Sequence, residues 1–268
     1  MAISATEAAM TGLNNVLSYL PSMVGRRGLA MVAGHCDEHG DFEAVVLPGR
    51  EPVCMVCMAE REKAEVVSER LRAALLGCGV PRKYHHARFS DLRPVCDEQR
   101  EVMAAFKGWV ARAGRDSGSG NVVVLGTTGT GKTHMACAAA LNLIARRGLR
   151  VHYTTTGQIK DEACSAWNAM GRDESTELRR FASYPLLIID EVDCFEQGPA
   201  LRQLNAVIDR RSAEGLPTIF ISNQTLGVLT ERVGARAVSR MMENALVLQC
   251  CWEDYRVSER SRKLENSG

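Results

Sequence analysis

Apolar positions along this chain follow different rules before and after residue 81. Near the N-terminus, Leu13, Val16, Leu17 and Leu20 share one face of a short helix. That helix is either a locally packed terminus or a partner-binding element. In 60–76, Val66, Val67, Leu71, Ala74 and Leu75 recur at helical spacing among charges, and Gly77, Gly79 and Pro81 break the pattern. Past residue 81 short, solidly apolar runs take over, at 121–125, 149–153, 185–189, 218–222 and 245–250. Helical patterns at 134–147, 156–170 and 201–213 lie between them. Apolar strands alternating with helices predict an α/β fold, a parallel sheet with helices on both faces. The expected organisation is an N-terminal helical segment (1–28), a small Cys/His module (29–60), a linker helix (61–80) and a large α/β domain (81–268).

Bulk properties narrow the picture slightly. Hydrophobic residues make up 46% of the chain and charged ones 24%, ordinary values for a globular protein. No apolar run is long enough for a membrane helix, and residues 1–22 lack the pattern of a secretory signal. A cytoplasmic protein with no membrane association is therefore expected. The net charge of +1 neither announces nor excludes nucleic acid. Ten cysteines in a chain of 268 residues without a secretory signal are expected to be mostly free thiols.

The chemistry concentrates after the first apolar run. Gly126-Thr127-Thr128-Gly129-Thr130-Gly131-Lys132-Thr133 fits G-x-x-x-x-G-K-[ST], between a strand and a helix. Glycines let backbone N–H groups close around phosphate oxygens, and the helix N-terminus adds partial positive charge. Lys132 is placed to reach the β- and γ-phosphates, and the Thr133 hydroxyl to ligate Mg²⁺. ATP and magnesium are the implied cofactors. The run 185–189 ends in Asp190-Glu191, which brings two carboxylates to the ligand-binding end of such a sheet. Asp190 is expected to hold Mg²⁺ and Glu191 to orient and deprotonate the attacking water. Asn223, after the fourth run, is placed for the γ-phosphate or that water.

A second constellation precedes the α/β region. Cys36-x-x-His39 and Cys54-x-x-Cys57 are separated by 14 residues. Each pair offers two metal ligands on a tight turn, and a hairpin between them would bring four ligands together as a structural zinc site. His35 is an alternative to His39, with awkward geometry. The remaining cysteines, at 78, 96, 137, 164, 194, 250 and 251, have no such spacing and are expected to be buried as small apolar residues. Residues 82–89 are basic with aromatic residues between, suited to nucleic acid or to a linker flanking the nucleotide. Arg146-Arg147 and Arg210-Arg211 end helices and are expected to be solvated caps.

Together these motifs resemble AAA+ ATPases, and within them the DnaC-type helicase loaders and the related IstB transposition helpers. The resemblance is carried by 126–133 with His134-Met135, by Leu187–Glu191 and Ser222-Asn223, by Arg88-Phe89 with Gln99, by Gly-x-Arg-x-x-x-Arg ending at Arg240, and by Trp252-x-x-Tyr255-Arg256. It spans about 81–256. It implies that His134 belongs to the nucleotide site and that Arg240, or else Arg236, is an arginine finger acting on a neighbouring subunit. It also implies that Arg256 reads the nucleotide in cis. A replicative DNA helicase, single-stranded DNA and self-association on nucleotide binding are the implied partners. The rivals are an IstB-like regulator of a transposase on duplex DNA, and a zinc-dependent adaptor with a vestigial ATPase. A small-molecule kinase would need a phosphoacceptor lid, which the sequence does not display.

Overall fold

The computed structural model describes residues 29–115, 119–165, 173–194, 198–253 and 255. The expected helix at 13–20, Arg256 and residues 166–170 of the expected helix 156–170 lie outside the described residues. The chain divides into two compact units, 1–70 and 71–268.

The described part of the first unit opens with an antiparallel hairpin of β1, Ala30–Cys36, and β2, Gly40–Val46. Gly34 pairs with Phe42 across the ladder, and a Cβ at Gly34 would lie 2.6 Å from the Phe42 ring. The ring therefore takes the space above the glycine. Helix α1, Met55–Gly77, follows and contains no buried residue. It starts before the expected residue 60, because Cys54 and Cys57 sit at its first turn rather than in a loop; Met58 N–H already bonds Cys54 O at 3.0 Å. Within residues 29–70 only Cys54 is buried.

The second unit is a five-stranded parallel sheet, with strands β3 (Val122–Gly126), β4 (Val151–Thr155), β5 (Leu186–Asp190), β6 (Thr218–Ser222) and β7 (Leu246–Cys250). The spatial order is β4-β5-β6-β3-β7. Both faces of each central strand are apolar, so successive residues enter different cores. Val122, Val124, Leu186, Ile188, Ile219 and Ile221 pack towards α2 (Asp97–Arg112) and α3 (Lys132–Arg147). Val123, Leu125, Leu187, Ile189 and Phe220 pack towards the other face. That face is covered by α4 (Thr156–Ser165), α5 (Glu174–Ala182), α6 (Pro199–Ala213), α7 (Leu226–Val233) and α8 (Ala235–Met241).

After β3 the chain crosses to the far edge at β4, and β6 later leads to β7 on the other side of β3. The carboxyl end of β3 is thus a point where connections part, the usual crevice for ligands in open α/β sheets. Among the described residues no helix is long and apolar enough to cross a membrane.

Two expectations need correction. Arg211 is not a solvated cap: it is 1% exposed, and its guanidinium donates to Thr218 Oγ1 at 2.7 Å, Ala182 O at 3.0 Å, Tyr184 O at 2.6 Å and Pro217 O at 2.6 Å. Several loop and helix-end carbonyls converge there, and one planar donor group satisfies them. Burial pulls its pKa down to about 9. The cysteines also divide: Cys78, Cys137 and Cys250 are buried, whereas Cys164, Cys194 and Cys251 are exposed and Cys96 is half-buried.

Candidate nucleotide site and metal cluster

The phosphate loop runs from the end of β3 into α3. Gly126 has φ +140°, and a Cβ there would lie 2.1 Å from Cys250 O on β7. Only glycine allows β7 to approach this closely. Gly129 and Gly131 also adopt positive φ, +81° and +88°, which turns the loop back over the first turn of α3. The N-terminus of a 16-residue helix therefore faces the loop and favours an anion there. Lys132 Nζ donates to Gly126 O at 2.8 Å and Thr127 O at 2.6 Å. Its ammonium thus lies inside the loop, 4% exposed, where phosphate oxygens could replace those carbonyls. Thr127, Thr128 and Thr130 complete the loop, with Thr130 Oγ1 donating to Thr127 O at 2.9 Å.

Asp190, at the end of β5, faces α3. Its Oδ2 accepts from Thr133 Oγ1 at 2.7 Å and from Tyr153 OH at 2.8 Å; its Oδ1 accepts from Glu191 N–H at 2.8 Å. A hydroxyl and a carboxylate at contact distance are hard oxygen donors of the kind magnesium takes, so this pair fits the ion. Burial and the Asp190 charge push the Tyr153 phenol well above its usual range, which keeps it a donor. Glu191 is exposed and has φ +52°, a sparsely populated region for a side chain that is not glycine. The turn places Glu191 one residue past the strand end. Asn223 follows β6, and Thr128, Lys132, Thr133, Asp190, Glu191 and Asn223 line one cavity of about 820 Å³. That volume suits a nucleotide-sized ligand.

Two groups of contacts around the loop involve residues that the sequence singled out without giving their partners. Trp252 Nε1 donates to Thr130 O at 3.0 Å, and Tyr255 N–H to Gly129 O at 3.1 Å. The segment after β7 therefore grips the outer rim of the loop. On the other side, His134 Nε2 lies 3.3 Å from Arg88 O and 3.8 Å from Asp91 Oδ2, and its ring meets Tyr84 edge-on at 6.0 Å. The basic, aromatic stretch 82–89 thus sits against the start of α3. The bare spacing Trp-x-x-Tyr was the one sequence signal for the first group.

A family model described as "IstB-like ATP binding protein" matches residues 110–265, more than half of the chain. The chain belongs to this IstB-like family of ATP-binding proteins. The replicative helicase loader DnaC of Escherichia coli (strain K12) is 27% identical over 180 residues, 66% of this chain and 72% of that protein. A putative ATP-binding protein of insertion sequence IS5376 from Geobacillus stearothermophilus is 31% identical over 146 residues, 52% of this chain and 57% of that protein. A crystal structure of the DnaC helicase loader superposes with a TM-score of 0.57 at 20% identity, covering 63% of this chain and 99% of that one. The fold of this IstB-like protein is that of an AAA+ P-loop ATPase: the α/β sheet was expected from the apolar pattern, and the AAA+ form from the resemblance.

The two candidate finger arginines of this family member lie elsewhere. Arg236 and Arg240, both on α8, share Asp209 of α6: Arg240 Nη1 is 2.5 Å from Asp209 Oδ1 and Arg236 Nη2 is 3.4 Å from Asp209 Oδ2. Asn121 Nδ2 donates to Arg240 O at 3.1 Å. Asn121 precedes β3 and the phosphate loop follows it, so a five-residue strand, about 17 Å, separates Arg240 O from its own loop. Among the described residues the nucleotide cavity includes neither arginine.

In the first unit the four Cys/His side chains meet. The ligand atoms of Cys36, His39, Cys54 and Cys57 all lie within 4.8 Å of one another. His39 Nδ1 is 3.6 Å from Cys36 Sγ, 3.8 Å from Cys54 Sγ and 3.3 Å from Cys57 Sγ, and the Cys36 and Cys57 sulfurs are 3.5 Å apart. Zinc bonds of about 2.3 Å to sulfur and 2.0 Å to nitrogen give tetrahedral edges of roughly 3.5–3.8 Å, so the set fits zinc. His39 Nε2 lies 3.7 Å from Glu60 Oε2, an outer carboxylate that can fix the ring. The Glu38 backbone N–H and the His39 imidazole hold the Cys36 thiol down to about 6. His35 stands apart, bonded through Nδ1 to Asp41 Oδ1 at 2.6 Å.

Proposed function

We propose that this IstB-like protein is an ATP-dependent loader that delivers a replicative DNA helicase to single-stranded DNA during replication. The observation that carries this reading is the reach of its similarity to replicative helicase loaders, 72% of the length of the Escherichia coli protein.

Within the site, the loop N–H groups and Lys132 bind the ATP phosphates, with Lys132 exchanging the carbonyls of Gly126 and Thr127 for phosphate oxygens. Thr133 and Asp190 hold magnesium, which when bound supplies positive charge to the β- and γ-phosphates. Glu191 orients the attacking water and takes its proton, and Asn223 fixes the γ-phosphate or that water. Arg240, too far from its own loop, completes the site of a neighbouring copy, with Arg236 as the alternative. This makes ATP the trigger for self-association. Arg256 reads the nucleotide in cis by the same resemblance.

The N-terminal unit is assigned to partner binding, with Cys36, His39, Cys54 and Cys57 holding a structural zinc. Its apolar side chains support this: Met31, Met55, Val56, Met58, Val66 and Val67 are all exposed. Large exposed apolar groups concentrated in one unit mark interaction surfaces.

The deciding experiment is capture with the full-length Glu191→Gln chain in MgATP. We expect a replicative helicase of the host to be retained with single-stranded DNA and released when ATP is omitted. A second reading, regulation of a transposase on duplex DNA, is favoured by the similarity to the insertion-sequence protein. Retention of a transposase with duplex DNA, and of no helicase, would overturn the loader and establish the second reading.

A further inference from the structure

Asp190 receives a donor that lies outside the phosphate-loop motif. Tyr153 sits on β4, at the edge of the sheet, paired with Ile188 of β5. Its phenol crosses to Asp190 Oδ2 at 2.8 Å, the same oxygen that takes the Thr133 hydroxyl at 2.7 Å. With the Glu191 N–H on Oδ1, the carboxylate has three donors from three separate places in the fold. The buried phenol is the one of these that takes no part in the loop or the strand-end turn. Rotation of Asp190 would take the acceptor from a hydroxyl on a side chain only 5% exposed, so the phenol favours one rotamer.

The backbone of the same residue carries a second contact. Tyr153 N–H donates to Cys78 O at 2.7 Å, so residue 78 pairs with the free edge of β4. Gly79 has φ +71°, and a Cβ there would lie 2.1 Å from Tyr153 O. This early segment of the second unit therefore packs directly on the Tyr153 backbone.

We propose that Tyr153 is the positioning residue of the magnesium site, its phenol holding Asp190 in the rotamer that serves the ion and its backbone tying that grip to Cys78 and Gly79. The proposal rests on the ATP-binding reading above. Tyr153 borders the nucleotide cavity, and its phenol acts through Asp190. A purely structural tyrosine would matter equally with and without metal, whereas a positioning residue matters only when the ion is present.

The test measures binding rather than turnover. A ribose-labelled fluorescent ATP is titrated against the full-length chain in magnesium and in EDTA. Tyr153→Phe should weaken binding about tenfold in magnesium, the scale of one hydrogen bond to a charged group, and raise the magnesium needed for half-maximal binding similarly. In EDTA it should match the parent within about twofold. A parental magnesium response in the variant, or an equal loss in both conditions, overturns the proposal. Gly79→Ala reaches the same contact from the backbone and should shift the magnesium response in the same direction. Combined with Tyr153→Phe it should add little; shifts that multiply in full overturn the backbone coupling. If Tyr153→Phe does not fold, an unchanged magnesium response in Gly79→Ala overturns the proposal. A parent chain that binds no nucleotide defeats the ATP reading and this proposal with it, whereas a normal parent beside an unresponsive variant defeats the proposal alone.

Discussion

The two units of this chain hold themselves together by different physics. The ATPase unit buries two apolar layers, one on each face of a five-stranded sheet, and side chains such as Phe106, Leu125, Ile188 and Phe181 have no exposure. In residues 29–70 one side chain is buried, and it is the thiol of Cys54. A hairpin and a helix without a core cannot offset the entropy of ordering their backbone. Four ligand atoms at tetrahedral spacing can, because metal binding becomes folding free energy. Stability by burial suits a nucleotide site that must keep its geometry. Stability from the proposed zinc would leave a small unit free to expose apolar side chains, which suits contact with a partner.

The sharpest way to break this contrast is to deny the first unit its proposed zinc. Zinc binding to finger-sized segments amounts to about 10–16 kcal/mol near neutral pH. Chelation, or Cys54→Ser, should therefore unfold residues 29–60 and release about one zinc per chain, while the ATPase unit keeps its melting transition. Absence of bound metal in the parent, or residues 29–60 that stay protected from proteolysis after chelation, would contradict it.

A smaller effect belongs to the buried unit alone. His152 on β4 stacks on Tyr184 at 4.5 Å, and among the described residues its buried Nδ1 meets no geometrically sound hydrogen-bond partner. Burial, helped by the Arg180 charge, pulls its pKa from 6.5 down to about 4. The unfolded chain then takes the proton first, so the contribution is complete above pH about 6.5 and is lost as pH falls towards 4. At about 1.4 kcal/mol per unit this reaches roughly 3 kcal/mol. His152→Phe should flatten that part of the stability curve; an unchanged slope would refute the assignment.

The five strands were readable because a parallel sheet covered on both faces writes itself as solid apolar runs. The phosphate loop and Asp190-Glu191 were readable because their chemistry demands fixed spacing. Helices α2 and α5 were not, since their apolar faces are narrow among many charges. The start of α1 was missed because Cys54-x-x-Cys57 resembles a loop knuckle, and in the structure it opens the helix. Arg211 was misjudged because nothing local signals the carbonyls of residues 182, 184 and 217 that gather around it. Tyr153 escaped for a related reason, and Trp252, though part of a noted motif, gave no sign of its contact with the phosphate loop. Tyr153 meets a partner 37 positions away and Trp252 one 122 away, and no local pattern encodes that.

The central claim is a hydrolytic site in which Glu191 of one copy works with Arg240 of the next. Its most direct test is ATP turnover by Glu191→Gln and Arg240→Ala chains, each alone and mixed in equal amounts under loading conditions. Each variant alone should bind ATP and turn over at least about 10²-fold slower than the parent. The mixture should regain a measurable share of parental turnover, because interfaces that pair an intact Glu191 with an intact Arg240 form again. Parental turnover in Glu191→Gln, or a mixture no faster than its components, would contradict the account.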